Sequence, residues 1–380
     1  MNVLGIIKNK ISACEFYRCT GPLALMGQMG HYAKVLKGEE LLQQVEEIPK
    51  FWLKGAGGKK WDVVMFQRLT SVPGNQNFAQ LVLALRGMGI VVTVDYDDDY
   101  TNEHRKVHDG SMPDLSIFSA ITVSTPKLRK IMLPYNRHVS ILPNGVVPEM
   151  FNHFKRVIPH LTIGLTGSTT HKEDWKVVYQ PILNVLAKHP EVRLFMTGLV
   201  PPNMADHNQV ITLKKLYPHL PDNPWLPLNQ YGGILMNTDI QLCPVDPGDP
   251  FNFSKSNIKA TEAMISPRLY GTETGGAAVI ATGDIPNYVD AVVHERTGLL
   301  VNHFDQVGWE QAISRLVEDS SLRAKLGIAG YKRTQKFFTL ESLIAGRIIE
   351  YERLTERDSK PAIKERNWIA ANLVPGANSI

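Results

Sequence analysis

The chain contains no GxGxxG, no apolar run approaching the length of a membrane span, and only three cysteines in 380 residues. The missing glycine fingerprint removes the usual signature of a dinucleotide fold. Cys14, Cys19 and Cys243 are too few for a disulfide framework, and Cys14 with Cys19 lacks the second ligand pair a zinc site needs. They read as reduced thiols of a cytoplasmic protein. Residues 1–8 carry no basic region and too short an apolar run for a signal peptide, and nothing reaches the length of a membrane span. The net charge of +4 is a small excess, which permits a polyanionic partner such as DNA without requiring one. There is no internal repeat and no low-complexity tract.

What is present is the composition of an ordinary globular chain, 43% hydrophobic and 21% charged, long enough for two domains with separate cores. The first half opens with a strand over Val3–Ile7, a glycine-bearing loop, and a helical pattern at Leu23, Leu25 and Met26, which is how a Rossmann-like half begins. Tyr17 and Arg18 fall in that loop, where Arg18 reads either as a ligand group or as a solvated arginine. Residues 54–61, with three glycines and three lysines, read as a mobile loop or a phosphate cradle. Strands over 62–67, 90–94 and 120–123, with a helix over 77–86, point to a parallel sheet with helical crossovers. Arg68 lies just past a strand's carboxyl end, where open α/β sheets bind ligands. The acidic run 95–100 follows another strand, with Arg105 or Lys106 as possible counter-charges.

The second half restarts the rhythm with a strand over 161–165. Gly167, Ser168, Thr170, His171 and Lys172 then precede a helix whose apolar stripe is Trp175, Val178, Ile182 and Val185. Thr170 and Glu173 make a capping-box pattern. Backbone amides, hydroxyls and a cation before a helix start can bind a diphosphate; the same residues also make a plain strand-to-helix turn. The most telling stretch is Phe251–Met264. It follows the apolar run 239–244, and Ser254 or Ser256 is placed to cap a helix there. Lys255, Lys259 and Glu262 fall at i, i+4 and i+7 and share one face. Two ammonium groups and a carboxylate at a helix start suit a nucleotide, the cations meeting phosphate and the carboxylate meeting ribose hydroxyls. Spacing alone favours an amphipathic surface helix with a Lys/Glu ladder.

Glu262-Ala263-Met264, the strand at 278–281 and Gly298-Leu299-Leu300-Val301 resemble, in this order, the C-terminal domain of glycosyltransferase family 4. Ser124-Thr125-Pro126 and the segment 141–146 around Pro143-Asn144-Gly145 are similar to that family too, and the likeness spans roughly residues 85–350. It implies a retaining enzyme of GT-B fold, with two Rossmann-like domains facing each other across a cleft. Residues 1–150 would form the acceptor domain and 151–338 the nucleotide-sugar domain, with 339–380 a crossover helix and tail returning to the first domain. The implied reaction moves a sugar from a nucleotide-diphosphate sugar to a hydroxyl. Lys172, Lys255 and Lys259 would stabilise the leaving diphosphate. Gly167, Ser168, His171, Ser256, Asn257, Glu262 and Asp284 would bind the donor, and Arg18, Arg68, Asp97 and Asp98 would face the acceptor. No metal and no cofactor are expected.

Two departures from the family's pattern stand out. The first carboxylate of its Glu-x7-Glu falls at Ser254, and Ser168 sits near where an arginine is usual, so His171, Lys255 and Lys259 are expected to supply the charge. Residues 266–276 read as a longer loop than the family's turn, marked by Pro267, Gly271, Gly275 and Gly276. Asp284 reads as a sugar ligand or as the cap of the helix begun by Pro286, and Tyr231 as a base-packing or a core residue. The run at 95–100 leaves three readings: acceptor-orienting carboxylates, a solvated loop, or an Asp-x-Asp metal site of GT-A type at Asp97 and Asp99. Among whole-protein alternatives are a DNA-modifying glycosyltransferase acting on a hydroxylated base and a non-catalytic nucleotide-sugar binding protein.

Overall fold

The structure, a computed structural model, describes residues 1–8, 12–38, 55–68, 76–101, 114–152, 154–167, 171–198, 200–220 and 228–358. The chain divides into two compact units, residues 1–144 with 343 onward, and residues 145–342. Among the described residues no helix is long and apolar enough to cross a membrane.

Unit 1 holds a six-stranded sheet in the order β2-β1-β3-β4-β5-β6, built from Asn2–Ile7 (β1), Tyr32–Lys37 (β2), Val63–Gln67 (β3), Val91–Tyr96 (β4), Ala120–Val123 (β5) and Val139–Ile141 (β6). All its pairings are parallel. Its central strands are near-continuous apolar runs because helices cover both faces. On one face Leu81, Val82 and Leu85 pack with Phe66 and Tyr96. On the other, Leu23 and Met26 pack with Ile344, Ile348, Tyr351 and Leu354 of the last helix, Leu340–Asp358.

The glycine-bearing loop expected after β1 is instead helical, running through Ala13–Glu15, a π-turn at Phe16–Thr20 and the helix Gly21–Gln28. Pro22 suits the first turn of that last segment, so Gly21-Pro22 does not break the run.

Unit 2 holds a second all-parallel sheet in the order β14-β13-β10-β7-β8-β9. Its strands are Thr162–Leu165 (β7), Arg193–Met196 (β8), Val210–Thr212 (β9), Ile240–Cys243 (β10), Ala278–Thr282 (β13) and Leu299–Val301 (β14). Renumbered within the unit this is the doubly wound order 3-2-1-4-5-6. Trp175, Val178, Ile182 and Val185 form the apolar stripe the sequence implies, packed with Trp309 and Ile313.

Residues 266–276 are not a loop: Arg268–Tyr270 (β11) and Glu273–Gly275 (β12) form an antiparallel hairpin turning at Gly271, whose φ is +62°. It lies against the helix Ser320–Phe337, where the Gly276 amide donates to the Gly327 carbonyl at 3.0 Å and Lys332 pairs with Glu273 at 2.9 Å.

Candidate functional site

In unit 2 the strand order reverses between β7 and β10, so the carboxyl ends of these strands border the crevice at which doubly wound sheets take ligands. Two loops reach it. After β7 come Thr166 and Gly167, and His171 occupies the N-cap of the helix Lys172–Lys188. Ser168 and Thr170 lie outside the described residues. After β10, Asp249 caps the single turn Pro250–Phe253, and the helix Ile258–Ile265 starts after Asn257. The capping expected of Ser254 or Ser256 is therefore corrected. Proline starts a turn early at 250, and Ser254 closes it, buried, its hydroxyl donating to the Phe251 carbonyl at 2.8 Å.

Lys259 is the centre of this crevice. The residue is half-buried, and among the described residues its buried Nζ meets no hydrogen-bond partner. Burial, then the neighbouring Lys255 ammonium, push its pKa down to about 8. A Cβ placed on Gly167 would lie 3.1 Å from this nitrogen, 3.1 Å from His171 Cδ2 and 3.0 Å from the Trp175 ring, so a side chain here would crowd all three. Lys255 itself lies before the helix rather than on it, with its Nζ 5.4 Å from the Phe251 ring centre and its carbonyl accepting from Asn287 Nδ2 at 2.6 Å. Thr166 Oγ1, Trp175 Nε1 and Asn252 Oδ1 are further buried polar atoms on these segments that have no partner among the described residues.

His171 does not supply charge in this state. Its Nδ1 lies 2.6 Å from Asp174 Oδ2, and the other oxygen of Asp174 accepts from the Asp246 amide at 2.9 Å and from Asn252 Nδ2 at 2.7 Å. Burial, then Lys259 and Lys255, hold the imidazole down to about 3 despite the carboxylate beside it. At neutral pH the contact is thus a hydrogen bond from Nδ1–H to a carboxylate rather than an ion pair. Burial works to raise the Asp174 pKa, but the bond from His171 and the Lys255 charge outweigh it and keep the group low. Asp174 and Asn252 escaped the sequence reading. The i, i+3 spacing of His171 and Asp174 at a helix start was the available signal; Asn252 had none.

The remaining candidates divide. Glu262 is buried and accepts from Tyr231 Oη at 3.2 Å. Burial, then Glu262, hold the Tyr231 phenol well above its ordinary pKa, so it stays a donor. Ser256 and Asn257 are half-buried at the helix start, and the Asn257 carbonyl takes the amides of Ala260 and Thr261. Asp284 accepts from the His303 amide at 2.7 Å, and Ile285 rather than Asp284 is the N-cap of the helix Pro286–Ala291. Lys172 is exposed at the first residue of its helix, outside the group around Lys259.

In unit 1, Arg18 is neither solvated nor in a loop. It is fully buried and grips Asp95 with two bonds of 2.8 and 2.7 Å, while also donating to the Leu142 carbonyl and to Asn144 Oδ1. Thr122 donates to the same Asp95 at 2.6 Å. Asp95 and Tyr96 belong to β4, so the acidic run begins inside the sheet. Arg68, at φ +60° just past β3, bonds Asp97 at 2.7 Å and Asp98 at 3.2 Å and stacks over Tyr100. Arg68 is therefore the counter-charge to the acidic run; Arg105 and Lys106 lie outside the described residues. Burial would raise the Asp97 carboxyl, but the guanidinium of Arg68 and then Arg18 keep it below its ordinary value.

The two Rossmann-like units in these strand orders define the GT-B fold, and solved glycosyltransferases share it. Sucrose-phosphate synthase from Thermosynechococcus elongatus matches with a TM-score of 0.62 at 13% identity, covering 94% of this chain and all (100%) of that one. HepE from Anabaena, solved in complex with UDP, matches at 0.56 and 13%, covering 92% and 99%. A glycosyltransferase from Rickettsia africae matches at 0.58 and 12%, covering 93% and 98%. No family model matches the sequence, and no curated protein does. The resemblance to family 4 is borne out as a likeness of fold.

Proposed function

We propose that the chain is a retaining glycosyltransferase that transfers a sugar from a nucleoside-diphosphate sugar to a hydroxyl acceptor. The observation that carries this is Lys259: an ammonium buried with no partner among the described residues, beside Gly167, at the strand-order reversal of unit 2. A buried charge is retained at such cost where a ligand completes it. A diphosphate does so, bridging Lys259, Lys255 and the amides at the start of the helix Ile258–Ile265. Glu262, oriented by Tyr231, would accept from the ribose hydroxyls. Charge developing on the leaving diphosphate is then met by two lysines, and the chemistry needs no divalent ion. In unit 1, Arg68 with Asp97 and Asp98 would orient the acceptor.

One observation favours a second reading, a nucleotide-sugar binding protein without turnover. Ser254 stands where the family has a carboxylate, and its hydroxyl is buried and already bonded inside its own turn.

A thermal-shift screen over nucleoside diphosphates and their sugars tests the donor site, since a ligand of the folded state raises Tm by mass action. Glu262→Ala and Lys259→Ala should each abolish the shift; an undiminished shift in both, with folding intact, rejects the assignment. Release of nucleoside diphosphate during incubation with acceptors in EDTA separates a metal-independent transferase from a binding protein.

A further inference from the structure

We propose that His171 takes up a proton when a nucleoside diphosphate binds, so that the site gains a third cation only once the diphosphate is present, with Asp174 as its positioning residue. The inference rests on reading this crevice as a diphosphate site. It explains how a loop that lacks the family's fixed arginine can still neutralise a diphosphate.

The arrangement around the imidazole sets its state. From the helix Ile258–Ile265 it faces Lys259, from the segment before it Lys255, and from its own helix Asp174 and the Trp175 ring, which lies 6.3 Å away and nearly parallel. The exposed Lys172 and Glu173 flank it in sequence. Nδ1–H is committed to Asp174, whose second oxygen is held by the Asp246 amide and by Asn252, so the carboxylate cannot turn away. Among the described residues nothing bonds Nε2. In the free protein two ammonium groups oppose a third charge and keep the ring neutral. A diphosphate reverses the local field, and the fixed carboxylate then stabilises the imidazolium from behind. No covalent bond changes: Nε2 gains a proton from solvent on binding and returns it on release. The neutral ring of the free state also spares the fold a third positive charge beside Lys255 and Lys259.

Isothermal titration of the intact protein with UDP at pH 7.0, in two buffers of different ionisation enthalpy, counts the protons. Lys259, with a pKa near about 8, is already mostly charged at this pH, and a diphosphate binding as its full anion releases protons rather than taking them up. Net uptake therefore reports His171. We expect about one proton per UDP in the parent protein and close to none in His171→Asn, whose amide keeps a donor to Asp174. Binding without uptake in the parent, or unchanged uptake in His171→Asn, overturns the inference while leaving the diphosphate site standing. Failure of UDP, ADP and pyrophosphate all to bind overturns the site and this inference together. Asp174→Asn should lower the uptake; a lower Tm with the same uptake would show Asp174 to be merely structural.

Discussion

Lys259 couples the stability of the ligand-free protein to its pH dependence. A lysine whose folded pKa falls from 10.5 to about 8 binds fewer protons folded than unfolded between those values. Its cost to stability is therefore full below pH 8 and fades as pH rises toward 10.5, where both states are neutral. The shift corresponds to about 3 kcal/mol. Lys259→Met, similar in length and uncharged, is expected to raise the Tm of the free protein at pH 7 while abolishing the UDP-induced shift; an unchanged or lower Tm would show that Lys259 is not strained. In the parent protein, UDP affinity should weaken as pH rises above 8, because only the ammonium form attracts the diphosphate, and titration calorimetry between pH 7 and 10 measures it. His171 works in the same direction, in a lower pH window. Its folded pKa of about 3 lies below that of the unfolded chain, so it lowers stability as pH falls through 6.5.

At the level of elements, close backbone approach decides more than propensity. A Cβ on Gly276 would stand 1.9 Å from the Met264 carbonyl oxygen, because the hairpin β11–β12 returns directly beneath the helix Ile258–Ile265. The obstacle is backbone and cannot swing aside, so Gly276→Ala should destabilise by on the order of 3 kcal/mol. Urea unfolding checks this, and a loss below about 1 kcal/mol would mean that the hairpin is free to shift. In the sequence this hairpin read as a loop, since Pro267, Gly271, Gly275 and Gly276 punctuate it and its strands are three residues each. The strands β1, β3, β4, β5, β7, β10 and β13 were legible because they are buried on two faces and largely apolar; the edge strand β2, with Tyr32, Lys34 and Lys37 exposed, was not. Local pattern failed where the partner is distant. Arg18 looked like a loop residue because Asp95, which it grips, is far away in sequence. At the candidate site, Lys259, Glu262, Gly167 and His171 were readable as charges and glycine near strand ends. The bonds that Asp174 receives from Asn252 and the Asp246 amide were not, because contacts between segments that follow different strands leave no spacing to detect.

At the scale of the molecule, the chain leaves unit 1 after Asn144 and re-enters it at Leu343, and the two crossings are fastened together. The Val146 amide donates to the Phe338 carbonyl at 2.8 Å, and the Leu340 amide returns a bond of 2.8 Å to Val146. Gly145 sits so close that a Cβ there would lie 2.6 Å from Leu340 Cα. From this clasp the last helix enters unit 1 and completes its core, with Tyr351 wholly buried beside Val3, Ile7 and Met26, and Arg347 donating both to Tyr351 and to the carbonyl of Arg18. Unit 1 is thus discontinuous in sequence, and its first strand and its last helix stabilise each other. Removing the Tyr351 ring leaves a cavity under β1 and β3 at a cost of about 3–5 kcal/mol, all of it within unit 1. Hydrogen exchange of Tyr351→Ala should therefore show lost protection in β1, β3 and the helix Gly21–Gln28, with β7, β10 and β13 as protected as in the parent. The UDP-induced Tm shift of the unit 2 transition should survive in the same variant, since its ligand groups belong to unit 2. Uniform loss of protection across both sheets would instead mean that the chain unfolds as one cooperative body, and the helix would then be a strut for the whole molecule rather than a missing piece of one half.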